Sequence, residues 1–249
     1  MKLYKIMIPC IFSLLFLSCE IVQEVRFNPD GSGNFTLGIN VFDLSSLSKN
    51  SGGKMPMNKQ LDTLFVMSDF IERKKDSISK LSTEEQEKIK QLKDFSFRIK
   101  LDTILRKGKL DILYNFSDIK ELKKFGDKLK SQNINSLNST IDILKDTEKK
   151  KKFGFFDVSK RDFKFNKRKF SSKINSETLK KVKHNTLKNN PMMKMFQFKT
   201  RYIFPYKIKK IDNENAKILS DSKSVELSTS LYDIINDPES SNLTIKFKR

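Results

Sequence analysis

FSFRIKLD (residues 95–102) and LDILYNF (residues 110–116) carry the clearest strand pattern of this chain. In both segments every second residue is apolar, so one face of an extended strand is buried while the other face meets water. Arg106-Lys107-Gly108-Lys109 lies between the segments and predicts the turn that reverses the chain. The two segments are therefore predicted to form an antiparallel hairpin.

A second hairpin is predicted near the N-terminus. Residues 20–27 alternate loosely between polar and apolar, and residues 28–33 (NPDGSG) supply the Pro and Gly that a tight turn needs. Residues 34–42 then place Phe35, Leu37, Ile39 and Val41 on one face. Almost no linker separates Cys19 from this hairpin.

The remaining segments add helices and more strands. Ser82-Thr83-Glu84-Glu85 is a capping-box pattern that opens a helix to about Leu92. Residues 61–67 fit either a strand or the start of a helix. Other helices are predicted over residues 70–81, 118–129 and 176–189, and other strands over residues 153–174, 196–208, 216–232 and 243–247. The predicted fold class is α+β: an antiparallel β-sheet built of hairpins, with inserted helices, after an N-terminal signal peptide.

Residues 1–18 have the pattern of an export signal. Lys2 and Lys5 give a short positive start, and residues 6–17 form an apolar stretch of twelve. A lasting transmembrane helix needs roughly 20 apolar residues, so this stretch matches the core of a signal peptide instead.

The signal ends in Phe16-Leu17-Ser18-Cys19, which resembles a lipobox. The sequence therefore predicts that Cys19 carries the lipid and becomes the first residue of the mature chain. An ordinary secretory signal cut nearby, or an uncleaved anchor, are the alternatives. Glu20 follows the Cys where an Asp would signal inner-membrane retention in enteric bacteria, which favours the outer membrane of the cell envelope.

Cysteine content fits this prediction, because Cys10 and Cys19 are the only two. Cys10 would leave with the signal, and the mature chain would then form no disulfide. Residues 19–249 are predicted to be a single α+β domain with flexible segments near residues 45–57 and 131–152.

The chain is strongly basic, with a net charge of +20. Removing residues 1–18 takes away Lys2 and Lys5 and no acid, which leaves +18. Export argues against nucleic acid, so anionic lipid or an envelope polymer is the expected partner class. The alternative is compositional drift, since Lys, Asn and Ile are enriched together, as AT-rich coding produces. The lysine run at residues 149–152 fits either a solvated segment or an electrostatic contact with an anionic surface.

Residues able to carry chemistry are few. His184 is the only histidine and lies among lysines, which indicates a solvated surface residue and excludes a His-based metal site. Glu84, Glu85 and Glu87 fall at a helix start, where the macrodipole favours acids without any catalytic role. Met192, Met193 and Met195 fit a loop packed into the core, or a ligand pocket or membrane-facing rim. No cofactor, metal or catalytic residue is predicted.

Two segments resemble known envelope proteins. Residues 24–35 (EVRFNPDGSGNF), directly after Cys19, resemble a group of uncharacterised bacterial lipoproteins. Residues 202–205 (YIFP), with Ile208, Ile211 and residues 221–227 (DSKSVEL), resemble the strand-Phe-Pro-turn-strand ending of LppM-like domains. This resemblance implies an envelope protein with a mixed α/β, lipid-binding-like domain, and it transfers no individual ligand residue.

The sequence as a whole predicts a membrane-anchored lipoprotein whose domain is a non-enzymatic binding or interaction module. One alternative is an envelope assembly partner that binds protein through a basic face. A carboxylate-based hydrolase is a third.

Overall fold

Two β-sheets carry the fold in the computed structural model, which describes residues 19–41, 60–105, 107–131, 161–183 and 189–248. Within these residues there are twelve strands: β1 (Cys19–Phe27), β2 (Gly33–Val41), β3 (Gln60–Val66), β4 (Phe95–Asp102), β5 (Lys107–Phe116), β6 (Arg161–Phe165), β7 (Lys169–Ile174), β8 (Phe196–Ile203), β9 (Ile208–Ile211), β10 (Ala216–Ile218), β11 (Ser224–Ser230) and β12 (Leu243–Phe247). The helices are α1 (Met67–Arg73), α2 (Lys75–Ile78), α3 (Thr83–Gln91), α4 (Ile119–Ser131), α5 (Ser176–Lys183) and α6 (Leu231–Asn236), with short 3-10 helices at Pro191–Met195 and Pro238–Ser241.

The larger sheet has the strand order β10-β11-β8-β1-β2-β5-β4-β3. Both predicted hairpins are confirmed as antiparallel neighbours, β1 with β2 and β4 with β5. All of its pairs are antiparallel except β1 with β8, where Cys19 lies beside Phe196 and the strands run in the same direction. The first strand of the domain is therefore internal to the sheet.

The smaller sheet, in the order β6-β7-β12-β9, is antiparallel throughout and packs on the larger one. The core between them is aromatic. Phe27 from the larger sheet stacks on Phe204 at 5.5 Å between ring centroids and on Phe165 at 4.7 Å. Phe170 and Phe247 complete this cluster. The α+β class built on antiparallel sheets is confirmed.

Gly33, at the start of β2, lies where only a hydrogen atom fits. A Cβ atom at this position would stand 1.9 Å from the carbonyl oxygen of Arg26 and 2.6 Å from Cζ of Phe116. The close approach of β1, β2 and β5 at this point depends on the glycine.

Several boundaries differ from the predictions. Residues 61–67, left open as strand or helix start, are strand β3, and the polar helix predicted over residues 70–81 is divided into α1 and α2 at Lys74. The strand predicted over residues 196–208 ends at Ile203, because Pro205 has no N–H for a ladder, and Ile208 begins β9 in the other sheet.

The turn of the β4–β5 hairpin was predicted three residues too late. Lys107, Gly108 and Lys109 are already in β5, and the chain reverses at residues 103–105. Asp102 causes this, because its Oδ1 accepts a hydrogen bond of 2.8 Å from the Leu105 N–H and closes a side-chain turn.

Candidate membrane-facing end of the sheet

Cys19 lies at one end of the larger sheet, and the strand register identifies its neighbours there. The β1–β2 pairing joins Ile21 to Ile39, and two more residues along each strand bring Cys19 level with Val41. Val41 pairs with Gly108, Gly108 with Leu101, and Leu101 with Leu61. A row of backbone positions thus runs from Cys19 across β2, β5 and β4 to β3.

The β4–β5 turn projects beyond this row. Leu101 is level with Cys19, and residues 103–105 continue past it. Ile104 and Leu105 are the most exposed large apolar side chains that the structure describes, each at 63%. Asp102 also connects the turn to strand β3. Its Oδ1 accepts a hydrogen bond from the Leu105 N–H, and its Oδ2 accepts one of 3.1 Å from Nε2 of Gln60.

Beside the turn is an open groove of about 400 Å³. Three lysines line it, Lys100, Lys107 and Lys109, and two acids, Asp62 and Asp102. Asp62 is held by Arg98, whose Nε and Nη2 donate hydrogen bonds of 2.7 and 2.8 Å. These bonds, with a weaker contribution from Lys100, lower the pKa of Asp62 to about 2. The groove therefore mixes lysines, acids and apolar residues, and Lys100 and Lys109 form ion pairs with Asp62 and Asp111 at 3.3 and 2.8 Å.

The start of β8 lies at the same end on the other side of β1, since Phe196 is beside Cys19. The Met-rich segment precedes it as a 3-10 helix. Met193 is buried at 3% exposure, which agrees with core packing, whereas the side chains of Met192 and Met195 lie outside the described atoms. Nζ of Lys194 lies 4.8 Å from the ring centre of Tyr232 in α6.

The opposite end of β1 carries the predicted tight turn. Gly31 has a φ of +91°, which explains the glycine, and the Asn28 N–H donates to the Ser32 carbonyl at 2.8 Å. The Ser32 hydroxyl and N–H both donate to Asp30, which lowers the pKa of that carboxyl. These bonds are those of a turn.

The three glutamates of α3 are engaged locally. Ser82 and Glu85 form the predicted capping box, with the Glu85 N–H donating to the Ser82 hydroxyl and the Ser82 N–H donating to the Glu85 carboxylate at 3.0 Å. Glu84 pairs with Lys88 and Glu87 with Lys90 along the exposed helix face. Each carboxylate is thus accounted for by helix start or surface pairing.

Strand β3 forms one edge of the larger sheet and is unusually apolar for an edge. Leu61, Leu64 and Phe65 are exposed at 49%, 55% and 49%. Within the described residues β3 pairs only with β4, so its outer edge offers backbone groups for a further strand.

Arg161 is a structural residue that no sequence pattern indicated. Its guanidinium donates to Oγ and the carbonyl of Ser172 at 2.6 and 3.3 Å, and to Oγ and the carbonyl of Ser241 at 3.0 and 2.5 Å. Burial lowers its pKa. The charge is met by neutral oxygens that tie β7 to the segment before β12.

Some predicted features fall outside the described residues: the signal segment 1–18, the segment 45–57, the segment 132–152 with its lysine run, and His184. Of Cys19 the structure describes the backbone, as the first residue of β1. In the part of the chain that is described, no three His, Cys, Asp or Glu side chains form a metal site. No helix in those same ranges is long and apolar enough to cross a membrane.

Comparisons with known proteins give little. No family model and no curated protein matches the chain. Among solved structures, the NMR structure of the folded domain of Mycobacterium tuberculosis LppM aligns with 93% of this chain and 90% of its own length, at 6% sequence identity and a TM-score of 0.37. The two proteins are only weakly alike.

Proposed function

We propose that this chain is a lipoprotein of a bacterial cell envelope, anchored through a lipid on Cys19, whose domain is a non-enzymatic binding or interaction module. The outer membrane is the proposed location. The ligand class is an anionic lipid or envelope polymer, which the net positive charge of the chain, +20, suits.

One observation carries this proposal: the strand that begins at Cys19 is internal to the larger sheet, with β2 and β8 on its two sides. A lipid on that residue would hold the whole domain directly at the bilayer, because no linker separates them. The lipobox-like segment that ends at Cys19 supports lipid attachment at that residue. The position of Cys19 at one end of β1 would determine which end of the sheet faces the bilayer.

The test is metabolic labelling with an alkyne fatty acid, followed by membrane fractionation. The unaltered protein is expected to be labelled and to sediment with membranes. Cys19→Ser should abolish the label, whereas Cys10→Ser should keep it, since Cys10 lies within the signal. Label that persists in Cys19→Ser would exclude Cys19 as the attachment site.

A second candidate function is assembly with another protein. The exposed apolar side chains of the edge strand β3 support contact through this strand, rather than through the basic face expected from composition. The occupant we propose is β3 of a second copy. Antiparallel pairing centred on Thr63 would place Leu61 of one protomer opposite Phe65 of its partner, so apolar side chains would meet on one face.

Oligomeric state tests this pairing. The chain from residue 19 onward, which contains every described element, is made with Cys19→Ser and measured by light scattering. The expected result is a dimer that Phe65→Lys converts to monomer, while Leu81→Lys, at another exposed apolar side chain, leaves it dimeric. A monomer without either substitution would overturn the pairing.

A further inference from the structure

We infer that the β4–β5 turn, with Ile104 and Leu105 at its tip, is a second membrane contact that inserts into an anionic bilayer beside the Cys19 anchor. This inference rests on the proposed function, since the lipid on Cys19 determines which end of the domain faces the membrane. It adds a contact made by side chains of the fold itself.

The β4–β5 turn and Cys19 lie at the same end of the larger sheet. Cys19 is in β1 and the turn follows β4, three strands away, which corresponds to roughly 14 Å at the usual strand spacing. The turn extends beyond the level of Cys19 by two or more residues, or about 7 Å. A bilayer that holds the acyl chains of Cys19 therefore lies within reach of Ile104 and Leu105.

Sheet twist defines how the turn would approach the surface. Adjacent strands rotate by about 20° each, so the β4–β5 hairpin leans away from the direction of β1. The turn would meet the bilayer to one side of the anchor rather than beneath it. Two separated contacts would restrict rocking of the domain, which a single acylated residue allows.

Both apolar side chains at the tip of the turn are exposed. Ile104 and Leu105 each show 63% of their surface to water, at the tip of a turn where polar residues are the rule. Asp102 holds the turn through its bonds to Leu105 and Gln60, so the backbone presents both side chains at the tip. Little backbone entropy would be lost when they insert.

Charge near the tip indicates the occupant. Lys100, Lys107 and Lys109 line the groove at the base of the turn, where Lys107 lies opposite Asp102 in the strand register. Lys100 and Lys109 also form ion pairs with Asp62 and Asp111, at 3.3 and 2.8 Å. Apolar side chains flanked by lysines suit the boundary of an anionic bilayer, where the tip enters the acyl region and the ammonium groups remain among the headgroups. Anionic phospholipid headgroups are the proposed partners of these lysines.

The chain contains no tryptophan, so a single introduced Trp reports its own surroundings. The proteins are Leu105→Trp and Ile218→Trp, each in the Cys19→Ser chain from residue 19 onward. Ile218 is a matched control, because it is an exposed apolar residue three strands from β1 on the other side. Its row passes through Val225 and Tyr202 to Val25, about 20 Å along the strand from Cys19.

Both proteins are mixed with vesicles of phosphatidylcholine, with and without phosphatidylglycerol. We expect the tryptophan fluorescence of the L105W protein to shift to the blue and to be quenched by brominated acyl chains, only when phosphatidylglycerol is present. The I218W protein should show neither change. Equal responses of the two proteins, or no response of L105W, would overturn the inference.

A partition measurement tests vesicle binding without an introduced tryptophan. Ile104→Ser with Leu105→Ser in the same Cys19→Ser chain should lower binding to the anionic vesicles about tenfold, whereas Ile218→Ser should change it less than about twofold. Unchanged thermal unfolding of both variants shows that the fold persists. Equal partition of the double variant and the control would overturn the inference, because the tip would then contribute nothing to vesicle binding.

The outcomes separate this inference from the proposed function. Acyl labelling that depends on Cys19, together with an inactive tip, leaves the lipoprotein in place and removes the second contact. A tip that inserts in a chain that is never labelled removes the anchor and keeps the lipid contact.

Discussion

The main-chain N–H of Leu105 donates a hydrogen bond of 2.8 Å to Oδ1 of Asp102. This bond determines where the β4–β5 hairpin reverses and therefore which residues stand at its tip. A turn at residues 106–109 would have placed Lys107 and Gly108 there instead of Ile104 and Leu105.

Asp102→Ala should loosen this turn. The loss of an acceptor for the Leu105 N–H costs about 1 kcal/mol, which corresponds to roughly fivefold faster hydrogen exchange at that amide. Asp102→Asn keeps an oxygen acceptor while removing the charge, so its exchange should stay near that of the unaltered protein. Unchanged exchange in the Ala variant would show that the backbone alone holds the turn.

Arg161→Lys should destabilise the fold. An ammonium group cannot reproduce four bonds to two serines on different segments, and bonds to a charged donor are worth about 1.5–3 kcal/mol each. We expect a loss of about 2 kcal/mol or more in urea unfolding. Arg26→Lys, at a surface arginine paired with Glu24, should cost under about 0.5 kcal/mol. A similar loss at both positions would contradict a structural role for Arg161.

Gly33→Ala and Gly38→Ala are the same substitution on the same strand with different neighbours. At Gly33 the new methyl group would collide with the Arg26 backbone carbonyl, which cannot move without β1, and we expect a loss of about 3 kcal/mol. At Gly38 the nearest atoms are the side-chain ends of Asp111, which is buried, and of Lys109, which is ion-paired with it. These ends can shift more readily than a backbone carbonyl, so the loss should be smaller, about 1–2 kcal/mol. Urea unfolding measures both. Equal losses would show that β1 and β2 adjust freely at Gly33.

Asp62 should titrate with a pKa of about 2, as its bonds to Arg98 require. A lowered carboxyl pKa favours the folded state above the unfolded value of about 3.9, and this contribution disappears as pH falls from there towards 2. Carboxyl NMR should show the pKa of Asp62 rising most in Arg98→Gln and less in Lys100→Gln. An Asp62 that titrates near 4 in the unaltered protein would exclude the ion pair in solution.

Local patterns in the sequence predicted the hairpins, but they did not predict the pairing of strands that are distant in sequence. The alternation of apolar residues within residues 95–116 predicts β4 and β5. Because only a short turn separates the two strands, it also predicts that they pair. The parallel pairing of Cys19 with Phe196 joins distant segments, and alternation is the same whichever strand lies alongside. Pro205 ends β8, but that the chain then enters the other sheet follows only from the pairing of β9 with β12.

The sequence predicted one part of the candidate site and missed the other. Cys19 follows from the signal pattern, but the position of Ile104 and Leu105 at the same end depends on the sheet order and on the turn at Asp102. Helix α6 had a signal that alternation concealed: Ser230 and Asp233 form a capping box inside a segment that was predicted to be strand to residue 232. Arg161 had no signal, because its partners are serines brought together by the fold.

Lipid attachment at Cys19 is tested by intact-mass spectrometry of the protein extracted from membranes of its own host. We expect a chain that begins at Cys19, with residues 1–18 removed and the added mass of a lipid on that residue. A chain with an unmodified Cys19, or with residues 1–18 still attached, would contradict this expectation.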